Sequence, residues 1–195
     1  TERVSGRPAN PEVTIVFTDL VGFSKWSLSV GDETTLRLLR RVAQVFEPPL
    51  LESGGHIVKR MGDGSMAVFS NPVTALRSVI RALDALKEVE IDGYHPKMRA
   101  GIHTGRPQRI GSDLLGVDVN IAARVMERAT KGGLIISQST LDRIDQQYLD
   151  ALGVTPKKVR KQLFAAKSSG VPEDMSMYWI RPRKDAATEP DDGEL

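Results

Sequence analysis

Apolar positions along the chain fall into two alternating rhythms. Val13 to Thr18 (VTIVFT) is a β-branched run short enough to be a buried strand. Leu36, Leu39, Val42, Ala43 and Phe46 then recur at helical spacing. Pro48 predicts the end of that helix, because proline gives up a backbone donor and crowds the carbonyl four residues back. Gly54-Gly55 opens HIVKRMGDGSMAVF, two strand-like halves around Gly62-Asp63-Gly64, and Asp-Gly between such runs signals a hairpin. Pro72 stands at a helix start whose apolar face is Ala75, Leu76, Val79, Ile80, Leu83 and Leu86. Lys97 to Thr104 (KMRAGIHT) alternates and stops at Gly105, predicting another strand.

The resulting order, β-α-β-β-α-β, is the split βαβ arrangement of a ferredoxin-like core. Beyond it, Val117 to Ala129 reads as helix, Leu134 to Ser137 as a short strand, Ser139 to Ile144 as a short helix, and Met177 to Ile180 as strand added to the sheet. The fold class expected is α/β (α+β), with a mostly antiparallel sheet and helices on one face. Residues 1–12 (TERVSGRPANPE) have no apolar period and read as a flexible lead-in. The folded body is expected over 13–182. Residues 183–195 carry two basic and five acidic side chains and read as an acidic, disordered tail. No internal repeat is visible.

Composition narrows the function classes. The chain has 195 residues, about one domain, and is 40% hydrophobic and 27% charged, too apolar for general disorder. Lys plus Arg is 27 against 25 Asp plus Glu, a balance that advertises neither a nucleic-acid nor a membrane partner. The absence of cysteine excludes disulfides, thiolate zinc sites and cysteine nucleophiles. No apolar run approaches the roughly 20 residues of a membrane-spanning helix, and no signal-peptide pattern is present. The expectation is a soluble, cytoplasmic, single-domain protein.

Two aspartates carry the candidate chemistry. Asp19 ends the first strand, in FTDLVGFS, and Asp63 sits at the hairpin, in KRMGDGS. In a ferredoxin-like sheet those elements are central neighbours, so both carboxylates should converge at one edge. Paired carboxylates without nearby histidine or cysteine favour a hard cation such as Mg²⁺ or Mn²⁺, and two such ions serve in-line phosphoryl transfer. Read singly, Asp19 is more simply a helix cap and Asp63 a turn residue, and it is their convergence that favours a metal. Val21, Gly22 and Phe23 lead from strand into helix, where exposed amides suit phosphate oxygens.

Asn120 and Arg124 lie four apart on one helical face, an orienting amide and a fork-shaped cation suited to a sugar oxygen and a phosphate; the plainer reading is a solvated polar face. GDGSMA matches the letters of a dinucleotide fingerprint, yet strand rather than helix follows it, and no Walker-type loop occurs. The basic run Lys157 to Lys167 reads as a solvated strand or loop, with a nucleic-acid patch or a polyphosphate contact as alternatives. His56, His95 and His103 show no metal-ligand spacing and read as surface or hydrogen-bonded residues.

Together, FTDLVGFS, GGHIVKRMGDGSMAVF, GIHTG and LLGVDVNIAARVMERA resemble the catalytic domain of class III nucleotidyl cyclases, over about residues 13–144 and more loosely beyond. The resemblance implies two divalent cations, Mg²⁺ or Mn²⁺, on Asp19, Asp63 and the Leu20 carbonyl. It implies that Asn120 orients the ribose and Arg124 meets phosphate charge. It places base selection on Lys59 and Asp113, where lysine donates to adenine N1 and aspartate accepts from the N6 amine. Guanine offers the opposite polarity, so ATP is the expected substrate. Lys167 is implied as the triphosphate lysine, with Lys161 as the alternative.

The activity implied is adenylate cyclase: two-metal-assisted attack of the ribose 3′-hydroxyl on the α-phosphate, giving 3′,5′-cyclic AMP and pyrophosphate. In that family the site lies between subunits, and this chain carries both halves, so the resemblance implies a homodimer with shared sites. A guanylyl cyclase and a catalytically inactive nucleotide-binding or dimerisation module stand as alternatives. The GG[DE]EF signature of diguanylate cyclases is absent.

Overall fold

Strand β1 (Val13–Leu20) is hydrogen-bonded on both sides, antiparallel to β3 (Gly64–Phe69) and to β4 (Met98–Gly105). In the computed structural model, which describes residues 10–160 and 175–183, these strands centre a seven-stranded sheet. With β2 (His56–Met61), β7 (Gly133–Ser137), β8 (Val154–Lys158) and β9 (Met177–Pro182), the order is β2-β3-β1-β4-β7-β9-β8. Every neighbouring pair is antiparallel except β4 with β7. Helices α1 (Phe23–Val30) and α2 (Asp32–Glu52) join β1 to β2, and α3 (Pro72–Leu86) joins β3 to β4. The predicted β-α-β-β-α-β order and mostly antiparallel sheet are therefore present. Residues 1–9, 161–174 and 184–195 lie outside the described residues, and with them most of the expected lead-in, most of the basic run and the acidic tail.

The helices do not share one face, as the sequence reading had them. Val16 and Leu20 of β1, Ala67 and Phe69 of β3, and Ala100 and Ile102 of β4 pack under α2 and α3. The alternate residues Ile15, Phe17, Met66 and Val68 face Ala122 and Met126 of α4 (Val117–Glu127) on the opposite side. Strand side chains alternate between faces, so a strand apolar at every position is buried twice. Glycine lets α4 sit close: a Cβ on Gly101 would lie 2.2 Å from the Met126 backbone nitrogen.

Other predicted boundaries move for local reasons. Helix α2 continues through Pro48 and Pro49. Phe46 and Leu50 are almost wholly buried around the two prolines, and that burial outweighs the lost backbone bonds. The helix end is closed by Ser53 Oγ donating to the Pro49 carbonyl at 2.9 Å. The hairpin turns on Gly62-Asp63 rather than Asp63-Gly64, because Gly62 supplies the positive φ of 59° and Gly64 already pairs with Met61. The predicted helix over 139–144 is a single turn, α5 (Gln138–Leu141). A two-stranded ribbon, β5 (Gln108–Ile110) with β6 (Asp113–Leu115), and helix α6 (Gln146–Leu152) have no counterpart in the sequence reading. Edge strand β8 carries Pro156 and the exposed Lys157 and Lys158, which discourage further strand pairing.

Candidate functional site

The register of the central strands sets the site. Thr18 of β1 faces Ser65 of β3, with their hydroxyls 3.0 Å apart, so the β2–β3 turn is held beside the end of β1. Asp63, on that turn, accepts from the Leu20 backbone N–H at 3.0 Å. The two aspartates thus meet at one sheet edge, with Asp63 bonded to the residue following Asp19. A Cβ on Gly64 would lie 2.1 Å from the Thr18 carbonyl oxygen and 3.0 Å from the Asp19 Cβ, so only glycine allows this approach.

Asp19 is not alone there. Its cross-strand neighbour on β4 is Arg99, whose guanidinium grips the carboxylate with two N–H groups, Nη2 to Oδ2 at 2.9 Å and Nε to Oδ1. Nη1 also reaches the Glu127 carbonyl at 3.4 Å, tying the end of α4 to this edge. The hydrogen bond to Asp19 holds the Arg99 pKa above its usual value against the opposing effect of burial. Sequence reasoning passed over Arg99. Its one signal is parity: in a strand paired antiparallel to FTDL it falls directly opposite Asp19.

The donor chemistry suits a hard cation. Two carboxylates and the Leu20 carbonyl are all oxygen donors. Carboxylate oxygens keep further lone pairs when a guanidinium takes one each. No group of three His, Cys, Asp or Glu side chains able to hold a metal occurs among the described residues, so any ion here rests on two carboxylates plus backbone and substrate oxygens.

Downstream of Asp19 the chain is pinned by Val21 N–H donating to the Lys97 carbonyl at 2.8 Å. Gly22 then takes a left-handed conformation, φ 67° and ψ 18°, and caps α1 with no side-chain partner for the first-turn amides. Phe23 is half-buried against the core and directs that turn outward.

A second pair stands on the same sheet face. Lys59 Nζ donates to Asp113 Oδ2 at 3.1 Å, bringing together β2 and the ribbon strand β6. A register shift between Ile57 and Lys59 re-aims the lysine. Asp113 also accepts the Leu114 N–H at 2.8 Å. That bond, and then Lys59, hold its carboxyl below the ordinary range.

Asn120 and Arg124 occupy one face of α4. Asn120 is exposed, and Arg124 donates to Glu127 one turn on at 2.5 Å. Among the described residues no hydrogen bond or ion pair joins either of them to Asp19, Asp63, Lys59 or Asp113. Lys167 and Lys161 lie outside the described residues. A cavity of about 140 Å³ lies under α2, reaching Asp63 and Gly64 from the α2/α3 side of the sheet, and a larger one of about 460 Å³ lies on that same side between α3 and β7.

Comparison with known proteins follows the same lines. The family profile described as "Adenylate and Guanylate cyclase catalytic domain" matches residues 7–182. A pH-sensitive adenylate cyclase of Mycobacterium tuberculosis is 30% identical over 149 residues, 73% of this chain and 36% of that protein. Guanylate cyclase beta of Plasmodium falciparum is 24% identical over 149 residues, 65% of this chain and 5% of that protein. The chain therefore spans about a third or less of the length of these relatives. Among solved structures, the guanylate cyclase domain of RhGC from Catenaria anguillulae, in complex with GTP, superposes with a TM-score of 0.73 at 21% identity, covering 91% of this chain and 100% of that one. An adenylate cyclase from Trypanosoma brucei in its monomeric state gives a TM-score of 0.73 at 18% identity, covering 90% and 92%.

Proposed function

The chain belongs to the adenylate and guanylate cyclase catalytic domain family, and we propose that within it this protein is an adenylate cyclase, converting ATP to 3′,5′-cyclic AMP and pyrophosphate. The observation that carries the choice of base is the Lys59–Asp113 pair. A lysine offers three donors and a carboxylate about four acceptor positions, so each can serve a base edge while still in contact with the other. Adenine presents an acceptor at N1 and a donor at the N6 amine, matching them. Guanine presents the reverse, and a site built for one polarity discriminates by about 10⁴ where the unmatched groups are buried.

Asp19, Asp63 and the Leu20 carbonyl are the residues that would hold divalent cations, Mg²⁺ or Mn²⁺. Such ions supply a more acidic ribose hydroxyl and neutralise phosphate charge. The chain's own residues do the positioning. The amides of Gly22 and Phe23, after Val21, face the phosphates. Arg124 meets charge growing on the α-phosphate oxygens, and Asn120 holds the ribose so that the 3′-oxygen approaches in line with the departing pyrophosphate. A lysine from the basic segment, Lys167 or Lys161, would meet the triphosphate.

Membership of the family implies a homodimer with shared sites, and Asn120 and Arg124, which among the described residues make no bond to the carboxylate edge, are proposed to serve the site of a second copy. Assay of the purified protein with Mn²⁺ and either ATP or GTP, products resolved by chromatography, tests the reading. Faster conversion of GTP would reverse the base assignment, and turnover of neither would favour an inactive module.

A further inference from the structure

The GIHTG segment contains a buried polar network that the proposed chemistry leaves unused. His103 is 4% exposed, on the face of β4 that meets α4. Its Nε2 lies 2.7 Å from Asp118 Oδ1, and its Nδ1 lies 2.6 Å from Ser137 Oγ at the end of β7. Burial lowers the imidazole pKa, with Asp118 opposing and Arg143 assisting. The neutral ring therefore donates from Nε2 to Asp118 and accepts at Nδ1 from Ser137, a tautomer assigned from its partners. The second Asp118 oxygen accepts the Arg106 backbone N–H at 2.9 Å. Ser139 Oγ, 3.2 Å from Nδ1, donates to the Thr104 carbonyl at 2.7 Å and locks the same corner.

Asp118 and Asn120 are in the first turn of α4, and Arg124 follows one turn on. Gly116, the N-cap, has no side chain with which to cap the helix, and Asp118 supplies the polar attachment of the helix start to the sheet. The fit is close: a Cβ on Gly105 would lie 2.2 to 2.5 Å from the Asp118 carboxylate atoms. At the other end the Gly101–Met126 contact fixes the height of the helix above β4. Two tight contacts set how far α4 stands from the sheet, the buried Ile121, Ala122, Val125 and Met126 turn its apolar side inward, and the two-oxygen hold on Asp118 fixes the rotation of its first turn.

We infer that His103 and Asp118 are positioning residues for the cyclisation step, fixing the rotation of α4 so that Asn120 and Arg124 are presented at the angle the transition state requires. The inference rests on the adenylate cyclase reading. A displacement of about 1 Å in a group that meets transition-state charge costs on the order of 10²-fold in rate. Neither residue touches base or metal in this scheme, so ground-state nucleotide binding is set elsewhere.

The test is a double-mutant cycle on the full chain. Asp118→Ala is expected to lower kcat about tenfold while affinity for a non-cyclisable ATP analogue, measured by calorimetry with Mn²⁺, stays within about twofold. In an Arg124→Ala background the same change should cost less than about twofold, because the rotation no longer has a charge to aim. Asp118→Asn keeps one acceptor and should retain most of the rate. Gly105→Ala, which disturbs Asp118 without removing a partner, should reproduce the loss and its dependence on Arg124. Full additivity with Arg124→Ala overturns the inference while leaving the cyclase reading intact. So does weakened analogue binding equal to the loss in kcat/KM, or failure of both the Asp118→Ala and Gly105→Ala proteins to unfold cooperatively. A wild-type protein that cyclises neither nucleotide overturns both.

Discussion

Gly64→Ala is the sharpest test of how the carboxylate edge is built. The added methyl would sit 2.1 Å from the Thr18 carbonyl oxygen, where ordinary contact is 3.4 Å or more. The obstructing atom is backbone in the central strand and has no rotamer through which to yield. Strands β1 and β3 must therefore part by more than 1 Å at the residue before Asp63's partner, or β3 must slide. Overpacking of this kind costs about 1–3 kcal/mol, which for a chain of this size lowers the unfolding midpoint by about 2–12 °C. The same separation withdraws Asp63 from the Leu20 N–H, so cyclase activity should fall at least about tenfold. Gly62→Ala is the control, since nothing lies within 4 Å of its Cβ. It carries only the strain of a positive φ, about 1–2 kcal/mol, and should keep Asp63 in place. Thermal unfolding and Mn²⁺-dependent turnover of the two proteins, measured side by side, decide the matter. A Gly64→Ala protein with unchanged midpoint and activity within twofold of wild type would refute the account of this edge.

Asp19→Ala and Arg124→Ala proteins should each keep only a measurable residue, about 1% or less, of wild-type activity yet recover activity on mixing. Random reassortment makes half the dimers mixed, each with one intact site of two, so about a quarter of wild-type activity is expected; no recovery would place each site within a single chain. Replacing Lys59 by Glu and Asp113 by Cys together should cut ATP turnover by about 10² or more and favour GTP, read as the ratio of kcat/KM values. For pH, His103 has a folded pKa lowered by burial. Below the ordinary histidine value of about 6.5 the unfolded chain binds a proton that the folded chain resists, so stability falls as pH drops through that window. Urea unfolding between pH 7 and pH 5 should show a shallower decline in His103→Gln than in wild type; equal slopes would contradict the lowered value.

The parts of the fold that were legible in the sequence are those buried on both faces. Strands β1 and β3 carry apolar residues at consecutive positions because α2 and α3 cover one side and α4 the other, whereas β4 alternates Ala100 and Ile102 with the Gly101 and His103 that lie under α4. The same double burial was misread as helices on one side only, since a continuous apolar run does not say which element covers which face. Strands β5 and β6 are three residues each and mostly exposed, so they leave no period to detect. Pro48 was a sound local stop signal overridden by the burial of Phe46 and Leu50. The site divides in the same way. Asp19 and Asp63 stand out in the sequence as candidates because each closes or turns a recognisable strand. Arg99 was not, because its meaning lies in a cross-strand register 80 residues away.

If Asp19 holds a divalent cation as proposed, that register would make Arg99 and the cation alternative counter-ions for its carboxylate. A half-buried carboxylate 22% exposed pays for its desolvation only if a positive charge stands against it. Arg99 supplies that charge with a bidentate fork, the strongest geometry a side chain has for a carboxylate. A divalent cation held by Asp19 and Asp63 would weaken the hold of Arg99, because the two positive charges repel even where spare lone pairs let both reach the carboxylate, and an incoming phosphate could take up the guanidinium so released. Arg99→Met keeps the stem and removes the charge. It should destabilise the metal-free protein by about 1–3 kcal/mol, discounted from the fully buried case for partial exposure. Mn²⁺ should then raise the unfolding midpoint more in Arg99→Met than in wild type, because in the variant the ion restores a counter-charge that wild type already has. An equal or smaller Mn²⁺-induced shift in the variant would mean that the two cations occupy Asp19 independently, and the exchange would have to be abandoned.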